Sequence, residues 1–418
     1  MKLNILRLLV AALVCASAVM LFTNARAQKS PAKQDFAVSL SSLGMAIPLQ
    51  TPSATAGPQE KTVEQTRKNI KVLNGMPDSQ LIPVMNLFAA SLGRRCNFCH
   101  VNKNGQLVPE LDDKPEKDRA REMIKMVLEV NKTTFKGGLD VACYTCHRGR
   151  NNPPGVPSLP LPLPSPPPAG NPGAGGPGGA TPPAGPPQAS PSPRPADPSA
   201  DDILNKYVEA IGGQAAIDKL KSRAAKGTIT QSNGNSFQFE LYQAAPDKFY
   251  LMVTTPQGPF ERGFNGQVAW EKTARGVREI SGGELANFKA GNSLFNLINF
   301  KEQYARPPRA RRDKIGDRDV YVLDGMTADG KRMRLYFDAA TGLLLRRVTA
   351  TTSMIGIIPE QVDFEDYREV DGVKFPFTAR TSTIEVGNPV TTRTFAEIKV
   401  NAPVDESKFK MPAKPTGP

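Results

Sequence analysis

At 418 residues the chain is too long for one compact domain, and 53 Lys+Arg against 40 Asp+Glu give a formal charge of +13. With 39 Pro and 35 Gly, part of it does not pack, and no apolar run suits a polytopic membrane protein. Five Cys and only two His exclude a His-rich metal enzyme or a pair of bis-histidine haems within this chain.

The chain opens like an export signal. Lys2 and Arg7 precede an uncharged apolar run from Leu8 to Phe22, and Ala25-Arg26-Ala27 offers a cleavage site, so residues 1–27 read as a signal peptide. The competing reading is an uncleaved anchor, for which 15 residues are short. Cys15 follows Val14, where a lipoprotein signal would carry a small residue. Cleavage removes Lys2, Arg7 and Arg26, lowering the charge from +13 to +10, and leaves four cysteines in an oxidising compartment. Residues 28–59 lack a sustained period and read as a disordered tail. Residues 60–150 carry all remaining Cys and both His. From 151 to 198 there are 19 Pro and 8 Gly in 48 positions, which reads as a disordered, polyproline-like linker. Residues 199–418 form a second folded unit.

Two C-x-x-C-H motifs stand in the first unit: Cys96-Asn97-Phe98-Cys99-His100 and Cys143-Tyr144-Thr145-Cys146-His147. Thiols three positions apart can add to the two vinyl groups on one edge of a haem, and the next residue then brings an imidazole to the iron. Zinc knuckles and disulfides or redox dithiols compete for the same cysteines. Neither explains why a histidine follows each pair and occurs nowhere else. The reading is therefore two covalently attached c-type haems, with His100 and His147 as iron ligands.

The sixth ligand of each iron has to come from another residue type, and methionine is the first candidate. A helix is expected from near Pro83 to Gly93, with Met85, Phe88, Ala89 and Leu92 on one face. Met76, in a loop before Pro77, is a weaker choice. A second helix, Pro115 to Thr134, places Met123 in line with Ala120, Val127 and Val130, its expected apolar stripe, whereas Met126 has charged neighbours. Met85 and Met123 are the chosen ligands. Arg94, Arg95 and Arg148 adjoin the motifs and suit haem propionates, an acidic partner, or merely a solvated rim. Residues 60–150 carry 16 Lys+Arg and 11 Asp+Glu, a balance that steers toward an acidic partner.

These residues resemble a known family. Val72-Leu73-Asn74-Gly75-Met76, the run Leu81 to Gly93 into Cys96, Ala120-Arg121-Glu122-Met123, and Val141 to Gly149 are similar to the cytochrome c subunit of photosynthetic reaction centres, over about residues 60–152. The resemblance implies helices that supply axial methionines, Met85 for the haem on Cys96/Cys99/His100 and Met123 for that on Cys143/Cys146/His147. It also implies an electron carrier that reduces an oxidised photopigment. Full-length members carry four haems; this chain has two motifs and no histidine between Lys132 and Ala142, so a four-haem wire is impossible in it. A non-phototroph can use such a two-haem module as a general carrier, accepting electrons from a quinol-oxidising complex or dehydrogenase. Peroxidase chemistry would want an open iron and a distal acid–base group, for which no spare histidine exists.

In the second unit, Ser199 and Asp202 form an N-cap pattern, and Ile203, Leu204, Tyr207, Val208 and Ile211 make a helical stripe ending at Gly212-Gly213. A short helix near 215–220 follows. Phe237/Phe239/Leu241 and Met333/Leu335/Phe337 alternate as half-buried strands, with turns at 338–342 and 371–372, and one more helix is expected around Glu284–Tyr304. The expectation is about nine to eleven antiparallel strands in a half-barrel or barrel with packed helices, an α+β domain. Its pattern weakly resembles periplasmic outer-membrane lipoprotein carriers, which implies acyl-chain binding. The basic group Arg306, Arg309, Arg311, Arg312 and Lys314 suits anionic lipid at a membrane surface or a plain solvated loop. Nucleic acid is excluded by export and by the lack of an aromatic-plus-basic array. The sequence thus describes an exported, periplasmic electron-transfer protein, with a lipid- or partner-binding protein whose haems sense redox state as the alternative.

Overall fold

The computed structural model describes residues 60–153, 155 and 198–413. The signal peptide, the tail at 28–59 and nearly all of the 151–198 linker lie outside the described residues. Among the described residues no helix is long and apolar enough to cross a membrane.

The first segment is built from helices α1 (Val63–Thr66), α2 (Leu81–Leu92), α3 (Pro115–Thr133) and α4 (Cys143–His147), with a small antiparallel ribbon of β1 (Val101–Lys103) and β2 (Gln106–Val108). Pro83 falls in the first turn of α2, where its missing N–H costs no helical bond. Gly93 ends the helix in the left-handed region at φ 61°. In α3, Pro115 opens the first turn, Glu116 and Asp118 lie at the positive end and Lys132 at the negative end.

The second segment starts with α5 (Ala200–Ala210), capped by Ser199, whose Oγ accepts from the Asp202 N–H at 3.1 Å while Asp202 Oδ2 accepts from Ser199 N–H at 3.0 Å. A short α6 (Gln214–Ile217) leads into β3 (Ser222–Gln231), β4 (Ser236–Ala244), β5 (Lys248–Thr255), β6 (Gly258–Phe264), β7 (Ala269–Thr273) and β8 (Gly276–Ile280). Helices α7 (Gly282–Asn292) and α8 (Phe300–Gln303) come next. The chain then forms β9 (Arg309–Ile315), β10 (Arg318–Met326), β11 (Arg332–Asp338), β12 (Leu344–Ser353), β13 (Gly356–Val370), β14 (Val373–Ser382) and β15 (Val390–Val400).

All of β3–β15 join one 13-stranded sheet in the order 8-7-6-5-4-3-15-14-13-12-11-10-9, with every neighbour antiparallel. Two meanders are thus joined through β3 and β15, and the sheet is open, with edges at β8 and β9. The helices cover one face. Phe288 of α7 packs with Phe249, Phe264 and Phe395 over one half, and Tyr207 and Phe300 pack with Leu335 and Phe337 over the other. Tyr207 Oη donates to the Leu297 carbonyl at 2.7 Å. On the opposite face Trp270 Nε1 donates to the Phe409 carbonyl at 3.0 Å, pinning the C-terminal turn.

The sheet corrects three expectations. Thirteen strands replace nine to eleven, because β7 and β8 have only five residues each and β9, Arg-Ala-Arg-Arg-Asp-Lys-Ile, has no apolar alternation to read. Arg309, Arg311, Arg312 and Lys314 are therefore part of an edge strand and not of a loop. Arg311 pairs with Asp313 at 2.5 Å and Lys314 with Asp319 at 2.9 Å, and charge of this kind protects an edge from pairing with other chains. The helix expected around 284–304 is two helices. Asn292 Nδ2 donates to Phe288 O at 2.8 Å and Asn296 Nδ2 to Gly291 O at 2.6 Å, so side chains take up the terminal carbonyls and α7 stops.

The two segments touch. Ile355, at the β12–β13 turn and 1% exposed, joins Val63, Leu73, Met76, Val84, Leu87 and Ile124 in one apolar cluster. A Cβ at Gly356 would stand 3.0 Å from Leu87 and 3.3 Å from Ala142, so glycine permits this approach. Ile384, in the β14–β15 loop, packs on the same cluster.

Beside it lies Glu385, 6% exposed, whose Oε2 is buried without a hydrogen-bond partner; burial pushes its carboxyl up to about 7. The unfolded carboxyl titrates at about 4.3. The folded state therefore retains a proton that the unfolded state releases, and stability is full below about pH 4 and falls as pH rises through about 7. Glu385→Gln is expected to match the parent at about pH 4 and to exceed it by on the order of 3 kcal/mol at about pH 8. Urea midpoints at the two pH values check this, and a pH-independent gap would refute it.

Candidate functional site

The first C-x-x-C-H forms a tight turn. Cys96–Phe98 is a 3₁₀ turn, and the His100 N–H donates to Cys96 O at 3.0 Å, so Cys96, Cys99 and His100 wrap one short coil. Cys96 is exposed and Cys99 half-buried; burial pushes the Cys99 thiol up, and Glu116 adds to this. His100 is held on the neutral side, first by burial and then by the nearby Lys117 charge. A neutral imidazole is the form that binds a metal. Its Nδ1 is buried with no hydrogen-bond partner.

The charges behind His100 are organised by Asp112. It pairs with Lys71 at 2.6 Å, Lys117 at 2.8 Å and Arg121 at 2.9 Å, and Asn69 Nδ2 donates to it at 2.9 Å. Arg121 foremost, these bonds hold its carboxyl far below the usual carboxylate range. Lys117 Nζ also donates to the carbonyls of Pro109 at 2.7 Å and Leu111 at 2.8 Å. The chain after the β1–β2 ribbon is thereby fixed to α3.

The second motif is the helix α4 itself. Thr145 Oγ1 accepts from the Ala142 N–H at 3.0 Å and closes its first turn. Cys143 and Cys146 are one turn apart, on the same side of the helix. Burial pushes the Cys143 thiol up to about 11, while Cys146 is exposed. His147 Nδ1 lies 3.0 Å from the Arg150 carbonyl. A carbonyl only accepts, so Nδ1 donates here and Nε2 is the ring nitrogen not engaged by that bond.

Two contacts position this helix. Asn131, 4% exposed on α3, donates through Nδ2 to Val141 O at 2.7 Å and accepts from Val141 N at 3.0 Å. Past α4, the Gly149 N–H donates to Ser91 O on α2 at 2.8 Å. A Cβ at Gly93 would lie 2.1 Å from Gly149 O, so only glycine allows this approach. Gly93 is three residues before Cys96 and Gly149 two after His147, so the chain just before one motif meets the chain just after the other. Sequence reasoning singled out none of Asp112, Asn131 and Gly149. A buried asparagine in the last turn of an otherwise amphipathic helix was the available signal.

Met85 is half-buried on α2, against the Ile355 cluster, and Met76 is part of that core at 1% exposure. The expected burial of Met123 is corrected. It is 37% exposed and Met126 47%, because the inward face of α3 is Lys117, Arg121, Ile124, Val127 and Asn131. Polar heads bonded to Asp112 and Val141 hold that face in place, so of the expected stripe Ala120-Met123-Val127-Val130 only Val127 is fully buried and Met123 is left exposed.

All four thiols are free, and among the described residues no three His, Cys, Asp or Glu side chains converge as ligands for an ion. Paired thiols on one turn, followed by an imidazole with Nδ1 committed and Nε2 presented, fit covalent haem. Arg94, Arg95, Arg148 and Arg150 are exposed around the joined motifs, with no carboxylate paired to them among the described residues; Arg94 lies over the Phe98 ring at 5.0 Å.

Residues 32–159 match the family of the photosynthetic reaction centre cytochrome C subunit. The photosynthetic reaction center cytochrome c subunit of Rubrivivax gelatinosus is 33% identical over 109 residues. That stretch is 24% of this chain and 27% of the relative, so the chain spans about a quarter of that protein's length. Among solved structures, a LolA superfamily protein of Nitrosomonas europaea is similar at 13% identity, over 51% of this chain and 97% of that one, with a TM-score of 0.37. A DUF1329 family protein of Desulfovibrio piger is similar at 16% identity over 51% and 98%, with a TM-score of 0.38.

The Asn131 clamp is directly testable. Asn131→Ala leaves the Val141 N–H and C=O without their partner and is expected to cost roughly 1–3 kcal/mol. Amide exchange over 141–147 should accelerate at least about tenfold while 96–100 keeps its protection. Equal protection of both motifs in the variant would remove the positioning role.

Proposed function

We propose that this protein is an exported c-type cytochrome with two haems that carries electrons between periplasmic redox partners. Cys96 and Cys99 hold one haem and Cys143 and Cys146 the other. His100 and His147 are the proximal iron ligands, and Met85 and Met123 the distal ones. In this reading 60–150 is the cytochrome domain, 151–198 the linker and 199–418 a separate β-rich domain.

The observation that carries the reading is the state of His147. Its Nδ1 proton is committed to the Arg150 carbonyl at 3.0 Å, directly after two free thiols one helical turn apart. Similarity of residues 32–159 to the reaction-centre cytochrome family supports the same cofactor. A bound c-type haem supplies reversible one-electron chemistry, and His/Met ligation raises its potential relative to bis-histidine.

The chain's own residues do the rest. Burial and the Lys117 charge keep His100 unprotonated and able to ligate. Met123 is favoured over Met76 because its thioether is not committed to the core. Arg94, Arg95, Arg148 and Arg150 present cations around both motifs, which steers an acidic partner to that side. A photosynthetic reaction centre is the partner the family likeness suggests, and a quinol-oxidising complex fits the same surface. Electron transfer is favoured over peroxidase activity because both histidines stand in proximal positions and the sequence has no third for a distal role.

Pyridine-haemochrome analysis of full-length protein made with its maturation machinery should give about two haems per chain. Met85→Ala and Met123→Ala should each turn one haem high-spin, or open it to exogenous ligands, with its covalent attachment intact. An unchanged spectrum and potential in either variant removes that ligand, and colourless protein removes the whole reading.

A further inference from the structure

The helix-covered face of the sheet is not uniformly apolar. The strand register aligns Arg347, Val362, Thr381, Thr391 and Gln231 in one continuous row across β12, β13, β14, β15 and β3. Side chains alternate faces along a strand, so Arg393 and Arg223 project to the same side as this row. Arg223, Arg347 and Arg393 line a single cavity of about 90 Å³ between the two halves of the core, roofed by the chain from Gly291 to Leu297. That volume suits one small polar group, with apolar walls at Leu241, Leu251 and Phe364 beside it.

Charge in this cavity is poorly compensated. Arg347 Nε is buried with no hydrogen-bond partner. Among the described residues no carboxylate pairs with Arg347 or with Arg223, whose Nε donates to Gln243 Oε1 at 2.8 Å. Glu360, the acid that acts on Arg347, is itself pushed toward its neutral form by burial. Burial, and then the like charge of Arg393, lower the Arg223 guanidinium to about 10, which still leaves it charged near neutral pH. Two half-buried guanidiniums, Arg223 and Arg347, with no carboxylate paired to them among the described residues, cost stability unless an anion supplies acceptors. Planar N–H forks beside apolar wall suit an oxyanion carried on a hydrophobic body, or a small free one.

We propose that this face of the β domain binds an oxyanion, a phosphate or carboxylate group, through Arg223, Arg347 and Arg393. The inference concerns the second domain alone and is independent of the haem reading.

The test uses the full haem-loaded chain in calorimetric titrations with three probes: inorganic phosphate, sodium laurate and the neutral dodecyl maltoside. Binding of phosphate alone assigns a free small anion, and binding of laurate without phosphate assigns the head group of an amphiphile; either supports the site. Arg347→Gln and Arg393→Gln should each weaken the bound anionic probe at least about tenfold, the loss of one charge-assisted hydrogen bond. Arg347→Gln should also melt no lower than the parent without probe, since a desolvated charge has been removed. The proposal is overturned if neither anionic probe binds, or if dodecyl maltoside binds as tightly as laurate. It is equally overturned if Arg347→Gln binds like the parent.

Discussion

The first segment depends on one backbone contact. Gly149 reaches Ser91 through a 2.8 Å hydrogen bond, and its carbonyl fills the space a Gly93 side chain would occupy. Gly93 has to be left-handed to end α2, and it also has to be bare to admit Gly149. One residue type satisfies both demands, so the stop of a helix and the meeting of the chains that flank the two C-x-x-C-H motifs are the same event. The exposed arginines follow from it. Arg94 and Arg95 succeed one glycine and Arg148 and Arg150 flank the other, so their charges gather because the glycines touch.

Charge is sorted by depth around that contact. Lys117 and Arg121 are buried, and Asp112 with the Pro109 and Leu111 carbonyls supplies their acceptors. These cations have a structural task, and through their field they also disfavour a proton on His100. The outer arginines lack such carboxylates among the described residues and remain available to something outside the chain. A single net-charge figure for the segment merges the two groups, although only the outer one can steer a partner.

Local chemistry was legible in the sequence where one residue decides it. Pro83, Pro115, Ser199 with Asp202, and Gly93 each act through a cap or a missing N–H, and their helices stand where those signals put them. The two C-x-x-C-H spacings are identical, yet Cys96–Phe98 is a 3₁₀ turn and Cys143–His147 an α-helix, so context and not spacing sets their local form. Legibility fails where a distant partner decides. Hydropathy scores cannot see Asp112 or Val141, which draw Lys117, Arg121 and Asn131 inward, and so the burial expected of Met123 is not found. Strand β9 read as a basic loop because its partner β10, and not its own composition, makes it a strand. The cavity arginines were invisible for the same reason: each lies on a different strand, and only the register of the sheet puts them together.

The contact between the two segments follows the same logic of weak local signal and strong context. Ile355, in the β12–β13 turn, completes a core whose other fully buried members all belong to residues 63–124. Burying Ile355 contributes on the order of 1.5–3 kcal/mol, and the partly buried Met354, Ile358 and Ile384 add to it, a modest sum against the entropy of association. Within one chain the requirement is smaller. Residues 151 to 198 join the two segments covalently, so the contact forms within one molecule and bears no cost of bimolecular association. A modest apolar contact then suffices for docking. The missing side chain at Gly356 supports this economy, because it lets the turn reach Leu87 and Ala142 directly, beside the helix that carries Met85 and the residue that precedes Cys143. The β domain therefore touches the first segment at the helix that carries Met85 and at the residue before Cys143, the two elements that position its proposed ligands.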